Sequence, residues 1–216
     1  MKIEPNTIEQ TVILRLRNVF TKEQCEEISR QILQYKENNF EKAFNRNANK
    51  GCWMGRPAQN GGFTPEIEYL LNNKFRMACT TYFEHLPKPE YLLTNSPHAL
   101  YDEDWVITPW ANVNEPGAEN REHTHTGNVV SAVAYFQARD TGILEFMPYN
   151  YTYKMSHPAW PYHGVAKYEP DDGDIILFPS FLLHRLAPNP SNKQRINMAF
   201  DAKLVPEFEL RHYADN

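Results

Sequence analysis

The stretch "NREHTHTGNVVSAVAYF" (residues 120–136) places two histidines, His123 and His125, one residue apart, directly ahead of an apolar run that reads as a strand. In a strand, residues i and i+2 point to the same face, so the two imidazoles project together. At that spacing they can grip one divalent ion at about 2.1 Å each, provided a third ligand comes from elsewhere.

Working outward, short strands and turns dominate from about Tyr101 onward. "WVITPWANVN", "NVVSAVAYFQA", "GILEFM", "DIILFP" and "QRINMAFDAKLV" alternate with "NEPGAEN", "ARDTG" and "EPDDG". The first hundred residues read differently. After a strand in "TVILRLRNVF", Thr21 and Gln24 make a capping box with Phe20 at the staple position, and a helix follows from about Lys22 to Lys36. Thr64 and Pro65 open a second helix, whose Ile67, Leu70, Leu71, Phe75, Ala78 and Tyr82 recur at helical spacing. Helices early and strands late give an α+β domain, with helices packed on a β-sandwich or barrel.

The third ligand is best sought in "GDIILFPSFLLHRLAPN". An Asp-Asp-Gly turn launches a buried strand, Pro179 and Ser180 break it, and His184 enters a neighbouring strand near its start. Three facial ligands leave open metal positions, which oxygen chemistry requires. Eleven residues beyond His184 lies Arg195, on a strand where Arg195, Asn197 and Ala199 face one way and Ile196, Met198 and Phe200 the other. An arginine on the metal-facing side needs an anion, and a carboxylate satisfies it in bidentate fashion. Tyr135 shares a face with Ser131 and Val133 and can add a phenol hydrogen bond to that anion.

The chain of 216 residues, 41% hydrophobic and 23% charged, fits a single domain spanning 1–216, with a helical support region over 1–100 and a β core over 101–205. A formal charge of −5 with scattered Lys and Arg gives no dedicated nucleic-acid patch. The first residues lack an apolar leader, and no apolar run approaches the roughly 20 residues that cross a bilayer. A soluble, cytoplasmic protein is expected. Cys25, Cys52 and Cys79 are odd in number and widely spaced, which predicts reduced thiols.

The order His-x-His, Ser-x-Val-x-Tyr, Gly-x-Leu-x-Phe, Gly-Asp-x-x-x-Phe-Pro-Ser, His184, Arg195 resembles the Fe(II)- and 2-oxoglutarate-dependent oxygenases. More narrowly, "WANVNEPGAENREHTHTGNVVSAVAYF" resembles the 2-oxoglutarate/Fe(II) oxygenase family with a W-x-N-x-N…H-x-H signature. The likeness covers about Trp105 to Leu204. It implies a double-stranded β-helix (jelly-roll or cupin-like) with the N-terminal helices on its major sheet, Fe(II) at the open end and 2-oxoglutarate beside it. By position, His123 and His184 become the histidine ligands and His125 takes the place usually held by Asp or Glu. Arg195 then pairs with the far carboxylate of 2-oxoglutarate, helped by Tyr135, while Asn112 contacts co-substrate or substrate. The implied reaction is hydroxylation with release of succinate and CO2, using molecular oxygen and a small-molecule, peptide or nucleobase substrate.

Other readings stand beside this one. A site of three histidines also fits a cupin-type dioxygenase that uses no 2-oxoglutarate, and a non-catalytic β-sandwich stabilised by metal fits the histidines alone. Glu119, Glu122, Asp140 and Glu145 flank the motif as alternative carboxylate ligands. Glu122 has the wrong strand parity, and Glu145 opposes Leu144 and Phe146. His85, His98, His157, His163 and His212 read as ordinary polar residues. The segment from Met147 to Pro170 is a long aromatic, proline-rich loop, and its part from Tyr149 to Tyr168 reads as an active-site lid, with a plain, well-packed loop as the alternative.

Overall fold

The structure, a computed structural model, describes residues 11–44, 49–86, 103–147 and 165–206. Two helices are present, α1 (Lys22–Asn38) and α2 (Pro65–His85), with nine strands: β1 (Leu14–Leu16), β2 (Asn49–Gly55), β3 (Glu103–His123), β4 (Val130–Gln137), β5 (Leu144–Phe146), β6 (Ala166–Tyr168), β7 (Ile175–Pro179), β8 (His184–Leu186) and β9 (Arg195–Pro206). All pairings are antiparallel, in the order β1-β7-β4-β9-β3-β8-β5-β6, with β2 also on β3.

The order explains the curl. The first half of β3, residues 103–114, pairs with β9, and its far end pairs with β8. One long strand therefore belongs first to the larger sheet and then to the smaller one, which is how a double-stranded β-helix closes around a cavity. The sequence reading split β3 at "NEPGAEN", but the strand continues through it. Gly117 adopts φ +77, its N–H donates to the Asn189 carbonyl at 2.9 Å, and Asn189 N–H donates back to Ala118 at 2.9 Å. Those bonds bend the chain instead of reversing it. Strands β2 and β6 were not read from the sequence, and the segment 149–164 of the expected lid lies outside the described residues.

Strand alternation assigns one face to each layer. Ile196, Met198, Phe200 and Ala202 of β9, Ala132, Ala134 and Phe136 of β4, and Ile175 and Leu177 of β7 join Ile28 and Ile32 of α1 and Ile67, Leu71, Phe75, Ala78 and Tyr82 of α2 in one core. Phe75 stacks on Phe200 with ring centroids 4.3 Å apart, and Phe20 meets Phe136 edge-on at 5.3 Å. The helices thus lie on the larger sheet, as expected. No helix among the described residues is long and apolar enough to cross a membrane.

Helix starts follow local chemistry. Thr21 and Gln24 close the capping box in both directions, at 3.3 and 3.0 Å. Thr64 precedes α2, but its hydroxyl does not cap the helix. It is engaged by buried Gln31 of α1, which accepts from Thr64 N–H at 2.8 Å and thereby joins the two helices. The Asp-Asp-Gly turn does launch β7: Gly173 has φ +89, and a Cβ there would lie 2.4 Å from the Phe20 carbonyl oxygen. All three cysteines are free and buried, and burial pushes each thiol up to about 12.

Because Phe75 is 2% exposed and clamps α2 to the sheet, Phe75→Ala is expected to cost about 3–5 kcal/mol. Urea unfolding measures this, and a loss below about 1 kcal/mol would show that α2 is not held by that stack.

Candidate metal and co-substrate site

The inner face of the sheet carries the polar half of the alternation. From β9 it presents Arg195, Asn197, Ala199 and Asp201; from β4, Ser131, Val133 and Tyr135; from β3, Trp110, Asn112 and Asn114. Cross-strand partners are Asn112 with Asn197, Asn114 with Arg195, Tyr135 with Asn197, and Ser131 with Asp201. A cavity lies over this face, lined by Asn112, Ser131, Tyr135 and all three histidines of interest.

The histidines reach this cavity through a change of parity. Trp110, Asn112, Asn114 and Asn120 line it from even positions of β3, whereas His123 and His125 are odd. A bulge between Asn120 and His123 supplies the extra residue that switches the face. His123 ends β3 and pairs directly with His184, the first residue of β8, with ring centroids 4.3 Å apart. His125 lies beyond the strand end, held by its N–H donating to the Ser180 carbonyl at 2.8 Å, and its ring stacks on Trp110 at 5.6 Å. The i, i+2 argument therefore reaches the observed side by a different route: a turn, not a strand, sets His125.

One ligand atom from each histidine lies within 4.8 Å of the others. All three rings have the Nδ1 side occupied by an acceptor: His123 faces the Arg121 carbonyl at 2.7 Å, His184 the Leu182 carbonyl at 2.8 Å, and His125 the Asp201 carboxylate at 2.8 Å. These acceptors require an N–H on Nδ1, so in the neutral ring the lone pair falls on Nε2. His125 Nε2 is buried without a hydrogen-bond partner. Burial, with His123 as a further positive neighbour, drives the His184 pKa down to about 3, so its ring is the neutral species a metal needs. This donor set suits a divalent ion.

At the other end, Arg195 is fully buried and its Nη1 donates to the Thr141 carbonyl at 2.6 Å. Its Nε and Nη2 have no partner, and neither does the Tyr135 hydroxyl. Burial lowers the guanidinium pKa to about 10 and raises that of the phenol, so the first stays cationic and the second stays a donor. A buried cation and a phenol with spare donors are a receptor for an anion, and a carboxylate fits the guanidinium fork. Asn112 Nδ2 donates to Asn197 at 2.8 Å, while its Oδ1 is buried without a partner.

The flanking carboxylates lie elsewhere. Glu145 is buried but bound by Arg185 at 2.5 Å, Glu122 is exposed and 3.8 Å from Arg185, and exposed Asp140 occupies the turn after β4 with φ +66. Neither these nor Glu119 joins the histidine group. His85 sits at the end of α2, its Nδ1 2.7 Å from the Thr81 carbonyl; His98, His157, His163 and His212 lie outside the described residues. The sequence reading missed Asp201, although extending the two-residue alternation from Arg195 reaches it.

Residues 108–201 match the family model described as "Putative 2OG-Fe(II) oxygenase". That stretch is less than half of the chain, and over it the sequence is similar to the 2-oxoglutarate/iron(II) oxygenases. That family uses Fe(II) and 2-oxoglutarate. Among solved structures, a Pseudomonas putida prolyl-4-hydroxylase is 15% identical with a TM-score of 0.56, covering 88% of this chain and 91% of that one. A Trichoplax adhaerens prolyl hydroxylase, in complex with a hypoxia inducible factor peptide fragment, is 14% identical with a TM-score of 0.59, covering 88% and 83%. HygX from Streptomyces hygroscopicus, with nickel, 2-oxoglutarate and hygromycin B bound, is 12% identical with a TM-score of 0.52, covering 89% and 83%. Among curated proteins, no sequence matches. These likenesses establish the fold of the chain.

Gly142 guards the anion end: its φ is +118, and a Cβ would lie 2.7 Å from Arg195 Nη1. Gly142→Ala is expected to destabilise the protein by about 1–3 kcal/mol in urea unfolding. An unchanged midpoint would show that the Arg195 pocket tolerates the added methyl.

Proposed function

We propose that the protein is an Fe(II)- and 2-oxoglutarate-dependent oxygenase, a hydroxylase in which His123, His125 and His184 hold Fe(II), Arg195 and Tyr135 bind the far carboxylate of 2-oxoglutarate, and Asn112 contacts co-substrate or substrate. The observation that carries this reading is the coexistence, on one inner face, of a buried unpartnered imidazole nitrogen with a buried unpartnered guanidinium and phenol. Groups of this kind are costly to bury unless a ligand completes them. A metal ion and a dicarboxylate complete both.

When bound, Fe(II) and 2-oxoglutarate supply the oxidising chemistry, in which O2 is consumed, 2-oxoglutarate becomes succinate and CO2, and a substrate C–H bond becomes C–OH. The protein's part is positional. The acceptors at Nδ1 orient each imidazole and leave Nε2 as the nitrogen that would ligate. Arg195 neutralises the far end of the co-substrate, and Tyr135 donates to it from the adjacent strand. The neighbouring cavity wall of Asn49, Met54, Trp110 and Asn120 is uncharged, which suits an uncharged portion of a small molecule, peptide or nucleobase.

The test is aerobic succinate formation from 2-oxoglutarate with added Fe(II). His184→Ala is expected to abolish it, and normal turnover by that variant would remove His184 from the ligand set. Arg195→Ala is expected to raise the half-saturating 2-oxoglutarate concentration by about 30-fold or more, the equivalent of at least about 2 kcal/mol for truncating a buried charge pair. An unchanged requirement would place the anion site elsewhere. Iron-dependent oxygen uptake without 2-oxoglutarate would move the reading to a three-histidine dioxygenase.

A further inference from the structure

We infer that Asp201 is the positioning carboxylate of the metal centre, supplying from behind His125 the negative charge that His125 itself lacks. This rests on the ligand set proposed above. Asp201 Oδ1 and Oδ2 lie 2.8 and 3.1 Å from His125 Nδ1, so the carboxylate can only accept and the imidazole must donate there. The ring is thereby fixed with Nε2 free, and that nitrogen is the buried, unpartnered one.

The three histidines are not treated alike. His123 and His184 rest their Nδ1 on backbone carbonyls two residues behind them, at 2.7 and 2.8 Å. His125 rests on a charged group from a strand 76 positions away. Asp201 is itself buried, and Ser131 Oγ donates to it at 2.6 Å. Since that proton is spent on the carboxylate, Ser180 Oγ, 3.0 Å from Ser131 Oγ, must donate to Ser131. The Ser180 carbonyl in turn accepts the His125 backbone N–H at 2.8 Å. His125, Asp201, Ser131 and Ser180 therefore form a closed loop of hydrogen bonds that fixes both the ring and its backbone.

The charge has a use at that place. Three neutral imidazoles leave a divalent ion with its full charge, one unit more than a set containing a carboxylate. A metal-bound imidazole is a stronger Nδ1–H donor, so the bond to a buried carboxylate strengthens as the ion binds, and the ion's affinity rises with it. Among the described residues, His125 is the basic side chain within ion-pair distance of Asp201.

The experiment uses Co(II) alone as the probe, on the full chain, with circular dichroism confirming the fold of each variant. Asp201→Asn keeps the shape and an acceptor but removes the charge, and is expected to weaken Co(II) binding by about 10- to 100-fold. In water, the Co(II) protein is expected to give one hyperfine-shifted, exchangeable Nδ1–H proton resonance per ligating histidine. Asp201→Asn should displace one and leave the others. Ser131→Ala keeps the charge and the His125 contact, and should weaken binding only a few-fold. Equal Co(II) affinity and unmoved resonances in Asp201→Asn would overturn the inference, as would a loss in Ser131→Ala as large as that in Asp201→Asn. Failure of the parent protein to bind Co(II) would instead overturn the ligand set, and this inference with it.

Discussion

The two-residue alternation of β4 and β9 is the constraint on which everything else rests. Each strand must bury apolar side chains against the helices on one side, which commits its other side to the cavity. A one-residue slip of β9 would exchange Ile196, Met198 and Phe200 for Arg195, Asn197 and Asp201 in the helix-facing core. No arrangement of the helices could accept that exchange, so the core fixes the register and the register aims the polar row. β3 obeys the same rule until its bulge reverses parity, delivering asparagines from one part of the strand and histidines from the next to the same space.

Within that space, charge rather than packing is the organising quantity. Arg195 is a cation fully removed from water with two donor nitrogens unspent, and His125 buries a ring nitrogen without a partner. Both ends are preorganised at a cost to the empty fold, because buried polar groups without partners destabilise. Such costs persist where a ligand recovers them, and a dication bridging to a dianion does so at both ends together. The proposed placement of iron and 2-oxoglutarate follows from that symmetry of need, and the carboxylate of Asp201 fits the same balance from one layer further out.

Much of this was legible in the sequence. The Asp-Asp-Gly turn before β7, the break at Pro179 and Ser180 before His184, and the alternation through Arg195 are local signals that the structure follows in backbone and side-chain direction, while the His-x-His spacing gave the right grouping although His125 lies beyond the strand end. What was not legible depends on partners distant in sequence. β2 is a strand because β3 offers an edge to Asn49–Gly55, and its glycine- and asparagine-rich composition gives no hint of this. β3 runs on through Pro116 and Gly117 because residues near Asn189 hold the bend. Thr64 looked like a cap, yet its hydroxyl was claimed by Gln31 from the other helix. Asp201 escaped notice because its meaning lies in a hydrogen bond to a residue on a different element.

The most direct test of the central claim is spectroscopic and needs no substrate. Under anaerobic conditions, the Fe(II)-loaded protein is titrated with 2-oxoglutarate while the visible absorption is followed, first for the parent and then for Arg195→Ala. A saturable charge-transfer band in the parent, weakened or shifted to much higher 2-oxoglutarate concentration in the variant, is the result this account predicts. Iron binding without any band, or a band indifferent to Arg195, would contradict it.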